Sequence, residues 1–165
     1  MGTDTDWEKW GASDPYFSVL SAEEFHAENL DEAAREKFFV SGERFISETV
    51  ERIRTHLERD FRPGRSLDFG CGVGRLVIPL AKVSREVVGV DVSDPMIAEA
   101  SSNCRSRNID NVSFVKSDDD LSGLGGTFNL IHSCLVLQHI PAGRGMRMVA
   151  AMLKHLEPGG CLLYT

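Results

Sequence analysis

The chain has 165 residues, 42% hydrophobic and 26% charged, which suits one globular core preceded by an N-terminal extension. Its net charge of −7 argues against a general binder of phosphate backbones, because such a protein needs a basic face. The arginines that do gather, Arg52, Arg54, Arg59, Arg62 and Arg65, are interleaved with Glu51, Glu58 and Asp60 and spread round a helix axis, so they read as a solvated surface.

Cys71, Cys104, Cys134 and Cys161 show no CxxC pairing, so reduced thiols are expected, with neither a disulfide framework nor a metal site. No segment has the charged-then-apolar pattern of a leader, and no apolar run approaches the roughly 18 residues of a membrane span. A soluble, cytoplasmic protein with no membrane partner is the expectation.

Residues 1–20 are polar and turn-rich, and carry Trp7, Trp10, Tyr16 and Phe17. Four aromatics in so short a stretch suggest docking, either on the chain's own core or facing a ligand. A helix is expected from Asp31 as N-cap, and a second from Ser41 and Gly42, where Phe45, Ile46, Thr49, Val50, Ile53 and Leu57 recur at helical spacing. Pro63 and Gly64 end it. Beyond them, apolar strands alternate with helices, the signature of a parallel α/β sheet.

The strands are read at Ser66–Phe69, Val87–Asp91, Val112–Lys116, Asn129–Ser133 and Cys161–Thr165. Between them fall a helix from Gly74 to Val83, one capped by Ser93 or Asp94, a short glycine-rich link at Leu121–Gly126, and a helix from Ala142 to Leu156 stopped by Pro158, Gly159 and Gly160. Ending inside an apolar strand suggests an incomplete sheet or a fragment.

In such sheets ligands bind at the carboxyl ends of the strands, where the strand order reverses. The first strand leads into LDFGCGVGRL, residues 67–76, in which Gly70, Gly72 and Gly74 alternate after Asp68. Residues without Cβ let a ligand approach the backbone, and the turn should present its N–H groups to that ligand. The spacing is GxGxG and not the GxGxxG of a dinucleotide pyrophosphate site, which disfavours an NAD-linked oxidoreductase. Asp91 ends the second strand, placed to accept hydrogen bonds from ribose hydroxyls. Asp118, Asp119 and Asp120 follow the third, and Ser133 and Cys134 close the fourth. Asp91 and Asp118 serve equally well, taken singly, as helix or turn caps.

Together these blocks resemble the class I S-adenosylmethionine-dependent methyltransferases. The likeness rests on LDFGCGVGRL, VVGVDVSDPMI (87–97), NVSFVKSDDDL (111–121), FNLIHSCLVLQHIP (128–141) and LKHLEPGGCLLY (153–164). It implies a Rossmann-like, doubly wound, mostly parallel sheet over residues 63–165, a helical extension or lid over residues 1–62, and a family C-terminal strand pair that is absent here. It implies S-adenosylmethionine as cofactor, with Gly70, Cys71, Gly72 and Gly74 along the methionine part and Asp68 near its amino group. Asp91 and Val92 would stand at the ribose, Met96 beside the adenine, Asp118 and Asp119 at the adenine amine, and Ser133 and Cys134 on the methionine side.

His139 stands where small-molecule O-methyltransferases carry a catalytic histidine, although Ile140 and Pro141 follow it in place of an acidic and aromatic run, and a structural role is open to it. The D/N/S-P-P-Y/F motif of base amino-methyltransferases, a Pro-Cys nucleophile and metal-binding carboxylates after the fourth strand are all missing from the sequence. The expectation is a small-molecule acceptor for O- or N-methylation, with no nucleic acid as partner. A non-catalytic module of the same fold is the alternative.

Overall fold

Apolar stretches buried on both faces pair as interior strands of a parallel sheet. The computed structural model describes residues 3–57 and 60–165. In it β1 (Arg65–Phe69), β2 (Glu86–Asp91) and β4 (Phe128–Ser133) are buried along nearly their whole length. The more exposed β3 (Val112–Lys116) and β5 (Leu156–Tyr164) form the two edges. The order is β3-β2-β1-β4-β5 with every pairing parallel. The chain therefore reverses direction across the sheet between β1 and β4.

One face is covered by α3 (Glu32–Leu57), α4 (Val77–Val83) and α5 (Asp94–Ser106), whose Ile46, Val50, Leu80 and Met96 join a single apolar cluster with Val87 and Leu130. The other face packs Leu67, Val88 and Ile131 against Met148 and Met152 of α6 (Ala142–Lys154) and against Leu121 and Leu124. Among the described residues no helix is long and apolar enough to cross a membrane. All four cysteines are free thiols.

Several elements differ from the sequence expectation. The two expected helices are one, α3, of 26 residues, capped by Asp31, whose carboxylate accepts from the Ala34 N–H at 2.8 Å. Gly42 is a packing notch within it and not a start: a Cβ there would lie 2.2 Å from the Arg75 carbonyl oxygen. Helix α4 begins at Val77 and not at Gly74, because Gly74 sits at φ +86°, outside helical space. Helix α6 stops at Lys154, and Pro158–Gly160 form an irregularity inside β5, between its pairings at Leu156 and Cys161.

The polar N-terminus folds into α1 (Thr3–Ser13) and α2 (Pro15–Val19). Tyr16 is driven into the core, where its hydroxyl donates to Glu99 at 2.6 Å and accepts from Arg35 at 2.8 Å. In the arginine-rich stretch, Arg54 and Arg62 face Asp60 and Arg65 pairs with Glu86, while Glu58 and Arg59 lie outside the described residues.

Candidate functional site

A cavity of about 440 Å³ opens at the carboxyl ends of the strands, next to the β1/β4 reversal, a size typical of small-molecule and cofactor sites. Its floor is Gly70, Gly72, Asp91, Val92, Met96 and Ser117. Trp7 and Trp10 of α1, together with Phe17 and Val19 of α2, roof it. His139, Ile140, Arg144 and Met148 wall the far side.

The glycine turn is shaped for close approach. Gly70 and Gly72 have φ of +75° and +50°, which side chains with a Cβ rarely adopt. A Cβ on Gly70 would meet Val136 at 2.3 Å, and one on Gly72 would meet Val19 at 2.6 Å. Gly74 does different work: its Cβ would face Ala100, so it lets α5 pack. The expected presentation of N–H groups is corrected by the bonds these groups make. Gly70 and Cys71 donate to the Val90 carbonyl at 2.7 and 2.9 Å, Gly72 donates to Asp91 and Gly74 to Cys71. A phosphate would find these four donors already spent, so the turn contributes space and not charge.

Asp91 ends β2 at the cavity wall. One of its oxygens accepts from Gly72 N–H at 2.8 Å and the other from Ser93 N–H at 2.9 Å, leaving each oxygen a further lone pair for a ligand hydroxyl. Burial raises its pKa, against the lowering effect of those backbone bonds. Ser93 also caps α5, accepting from Met96 N–H at 3.4 Å, which sets Met96 beneath the cavity.

The remaining expected residues are distributed differently. Cys134 lines the cavity, whereas Ser133 is buried on the opposite side of its strand with a hydroxyl that has no partner among the described residues. Cys71 is buried, its thiol pKa raised by burial and by Asp91. Asp68 is 2% exposed and faces His132 Nδ1 at 3.3 Å. Asp118 is exposed and bonds the backbone and hydroxyl of Ser122, the turn-cap alternative, while Asp119 binds Arg144 at 2.7 Å. Neither Asp118 nor Asp119 lines the cavity as it stands.

His139 does line the cavity, edge-on to the Trp7 ring at 5.2 Å between centroids. The composition of the N-terminal segment singled out its aromatics but not their partition, Tyr16 to the core and Trp7, Trp10 and Phe17 to the cavity. The signal was present: Asp4, Trp7 and Trp10 recur every third residue, as one face of a helix does.

Comparison with known proteins then defines the class. The family described as "Methyltransferase domain" matches residues 67–160, more than half of the chain. The chain belongs to that family, and its sheet is the Rossmann-like fold of the S-adenosylmethionine-dependent methyltransferases. The N-methyltransferase NodS from Bradyrhizobium japonicum, solved with S-adenosyl-L-homocysteine, superposes with a TM-score of 0.68 at 20% identity, over 99% of this chain and 72% of that one. Magnesium protoporphyrin IX methyltransferase from Synechocystis, solved with S-adenosylmethionine, gives 0.67 at 21%, over 95% and 73%.

By sequence, the 23S rRNA (uracil(1939)-C(5))-methyltransferase RlmD of Aeromonas salmonicida is 49% identical over 57 residues, which span 34% of this chain and 12% of that protein. The expectation of no nucleic-acid partner is corrected by this relative. Net charge describes the whole chain, whereas acceptor choice belongs to a local surface. S-adenosylmethionine is the cofactor that the class implies, and the floor fits it: glycines whose Cβ space is closed, a carboxylate with lone pairs to spare, and a buried Met96.

Proposed function

We propose that residues 63–165 bind S-adenosylmethionine in this cavity, and that residues 1–62 act as a lid enclosing a small-molecule acceptor for O- or N-methylation. The observation that carries this reading is the continuity of one cavity from Asp91 and Gly72 to Trp7 and His139. When bound, the cofactor supplies a methyl group on a cationic sulfonium, poised for in-line transfer to a nucleophile.

The chain's own residues hold and align the reactants. Asp91 takes the ribose hydroxyls, and the Gly70–Gly72 turn leaves room for the thioether region. Trp7, Trp10 and Phe17 exclude water and offer flat apolar surfaces to the acceptor. His139 receives the acceptor's proton as the new bond to carbon forms. Its ring nitrogen Nε2 lies 3.2 Å from the Gln138 side-chain amide nitrogen, a contact that steadies the ring at the cavity wall.

A second reading takes a nucleobase in RNA as the acceptor. The rRNA-methylating relative favours it, and a base would also suit the aromatic roof. Labelled S-adenosylmethionine, incubated with the chain and with separated metabolite and RNA fractions, distinguishes the two. Label in the metabolite fraction is the expected result, and label in RNA alone would establish the second reading. Replacing His139 by Ala should slow transfer by about a hundredfold or more while leaving cofactor affinity intact. An unchanged rate would remove His139 from the chemistry.

A further inference from the structure

Helix α1 places Asp4, Trp7 and Trp10 three residues apart on one face, and all three line the cavity. Trp10 is 48% exposed, although a large apolar ring left in water forgoes the gain of burial. Phe17 of α2 also lines the cavity, and the His26 ring stacks on it at 3.6 Å between centroids. Trp7 meets His139 edge-on, so two of the three rings are oriented before a ligand arrives.

The charged groups around this space are few. Among the described residues the lining carries two carboxylates, Asp4 and Asp91, and a single cation, Arg144. Each of the three Arg144 nitrogens already donates to a carboxylate, Nε to Asp119 at 2.7 Å and the two Nη atoms to Asp4 at 2.6 and 2.7 Å. An anionic acceptor would have to displace one of those carboxylates, and would meet its charge in doing so. Asp4 has a side chain 47% exposed, with lone pairs beyond those that face Arg144, and the Arg144 hydrogen bond holds its carboxyl below the usual range, so it is anionic near neutral pH. An indole face carries the negative part of the ring's quadrupole and attracts a cation set over it. Two indoles one turn from a carboxylate therefore suit a compact cation better than a hydroxyl group or an anion.

We infer that the acceptor is an amine that enters as its ammonium ion, with its charge against Trp7 and Trp10 and Asp4 as counter-ion. The inference rests on the methyl-transfer reading above and narrows it to N-methylation. One N–H proton of the ammonium passes to His139, and the nitrogen lone pair so freed attacks the methyl carbon. The C–N bond forms as the methyl–sulfur bond breaks, and the electron pair of the broken bond stays on sulfur as a thioether. The product is a methylated ammonium of the same charge, still matched to Asp4, and His139 returns its proton to water.

Trp7 and Trp10 are the chain's two tryptophans, so intrinsic tryptophan fluorescence reports on this wall alone. Titrating the intact chain, saturated with S-adenosylhomocysteine, with benzylammonium, benzyl alcohol and benzoate compares a cation, an uncharged group and an anion of similar shape. Benzylammonium should bind about tenfold tighter than benzyl alcohol, and benzoate weakest of all. The ratio of the first two affinities is the readout, because a roof loosened by a substitution weakens both alike. Asp4→Asn and Trp10→Leu should each lower that ratio several-fold, with Trp7 still reporting in the second variant. With labelled S-adenosylmethionine, label should enter a primary and secondary amine fraction and not an alcohol fraction offered separately. No response to benzylammonium, a wild-type ratio near one, tighter binding of benzoate, a ratio that survives either substitution, or label in the alcohols alone overturns the inference and leaves the cofactor reading standing. Should a variant fail to fold, the wild-type ratio and the two acceptor fractions still decide. A wild type that does not bind S-adenosylhomocysteine in a calorimetric titration overturns both readings.

Discussion

In the proposed reading Asp91 serves fold and ligand together. Its carboxylate ties the end of β2 to the glycine turn and to the start of α5, yet keeps lone pairs at the cavity wall. Replacing it by Ala should weaken S-adenosylhomocysteine by on the order of 2 to 3 kcal/mol, since hydrogen bonds to a charged acceptor are lost. Titration calorimetry reads this directly, and an unaltered affinity would leave Asp91 a cap alone.

The same residue sets a pH dependence. Burial raises its pKa in the free protein, so its contribution to stability is present below the ordinary carboxylate value and is lost as pH rises through the raised one. Ribose hydroxyls donate to the ionised form, so where pH lies below the raised value binding releases a proton. Affinity should therefore be flat above the raised value and decline as pH falls through it, a decline that Asp91→Ala abolishes. Asp91 was legible in the sequence because strand-end spacing marks it. The burial of Arg75 was not, since an arginine after a glycine turn resembles any helix-start charge in the sequence.

At the scale of elements, the roof over the cavity depends on a clasp. Arg144 at the start of α6 donates to both oxygens of Asp4 in α1, at 2.6 and 2.7 Å, and to Asp119 at 2.7 Å. The Arg144 hydrogen bond holds the Asp4 carboxyl below its usual range, so the clasp is intact above the ordinary carboxylate value and loosens as pH falls through the lowered one. Arg144→Ala should cost about 1 kcal/mol or less, because Asp4 and Asp119 are each nearly half exposed. Hydrogen exchange across residues 3–13 should rise in that variant while exchange in β1 and β2 stays constant. Uniform exchange across α1 in both proteins would show that α1 is held by its apolar contacts instead.

The strands and their parallel order were readable because buried apolar runs alternate with helical periods. The helix boundaries were less so: Gly42 mimics a start and Pro158–Gly160 a stop, and only packing against Arg75 and β4 assigns them otherwise. The clasp joins residues 140 positions apart, which no local pattern encodes.

Across the whole molecule, the part of the cavity proposed to hold the cofactor follows from strand ends and was largely visible beforehand, while the part proposed for the acceptor is lined from α1, α2 and the segment before α6. Net charge, a property of the entire surface, could not exclude a nucleic-acid acceptor of the kind that the rRNA-methylating relative takes. The most direct test of the account is a calorimetric titration of the chain with S-adenosylhomocysteine, competed in turn by S-adenosylmethionine and NAD. The account predicts one site per chain, displaced by S-adenosylmethionine and untouched by NAD. Absence of binding, or tighter binding of NAD, would contradict it.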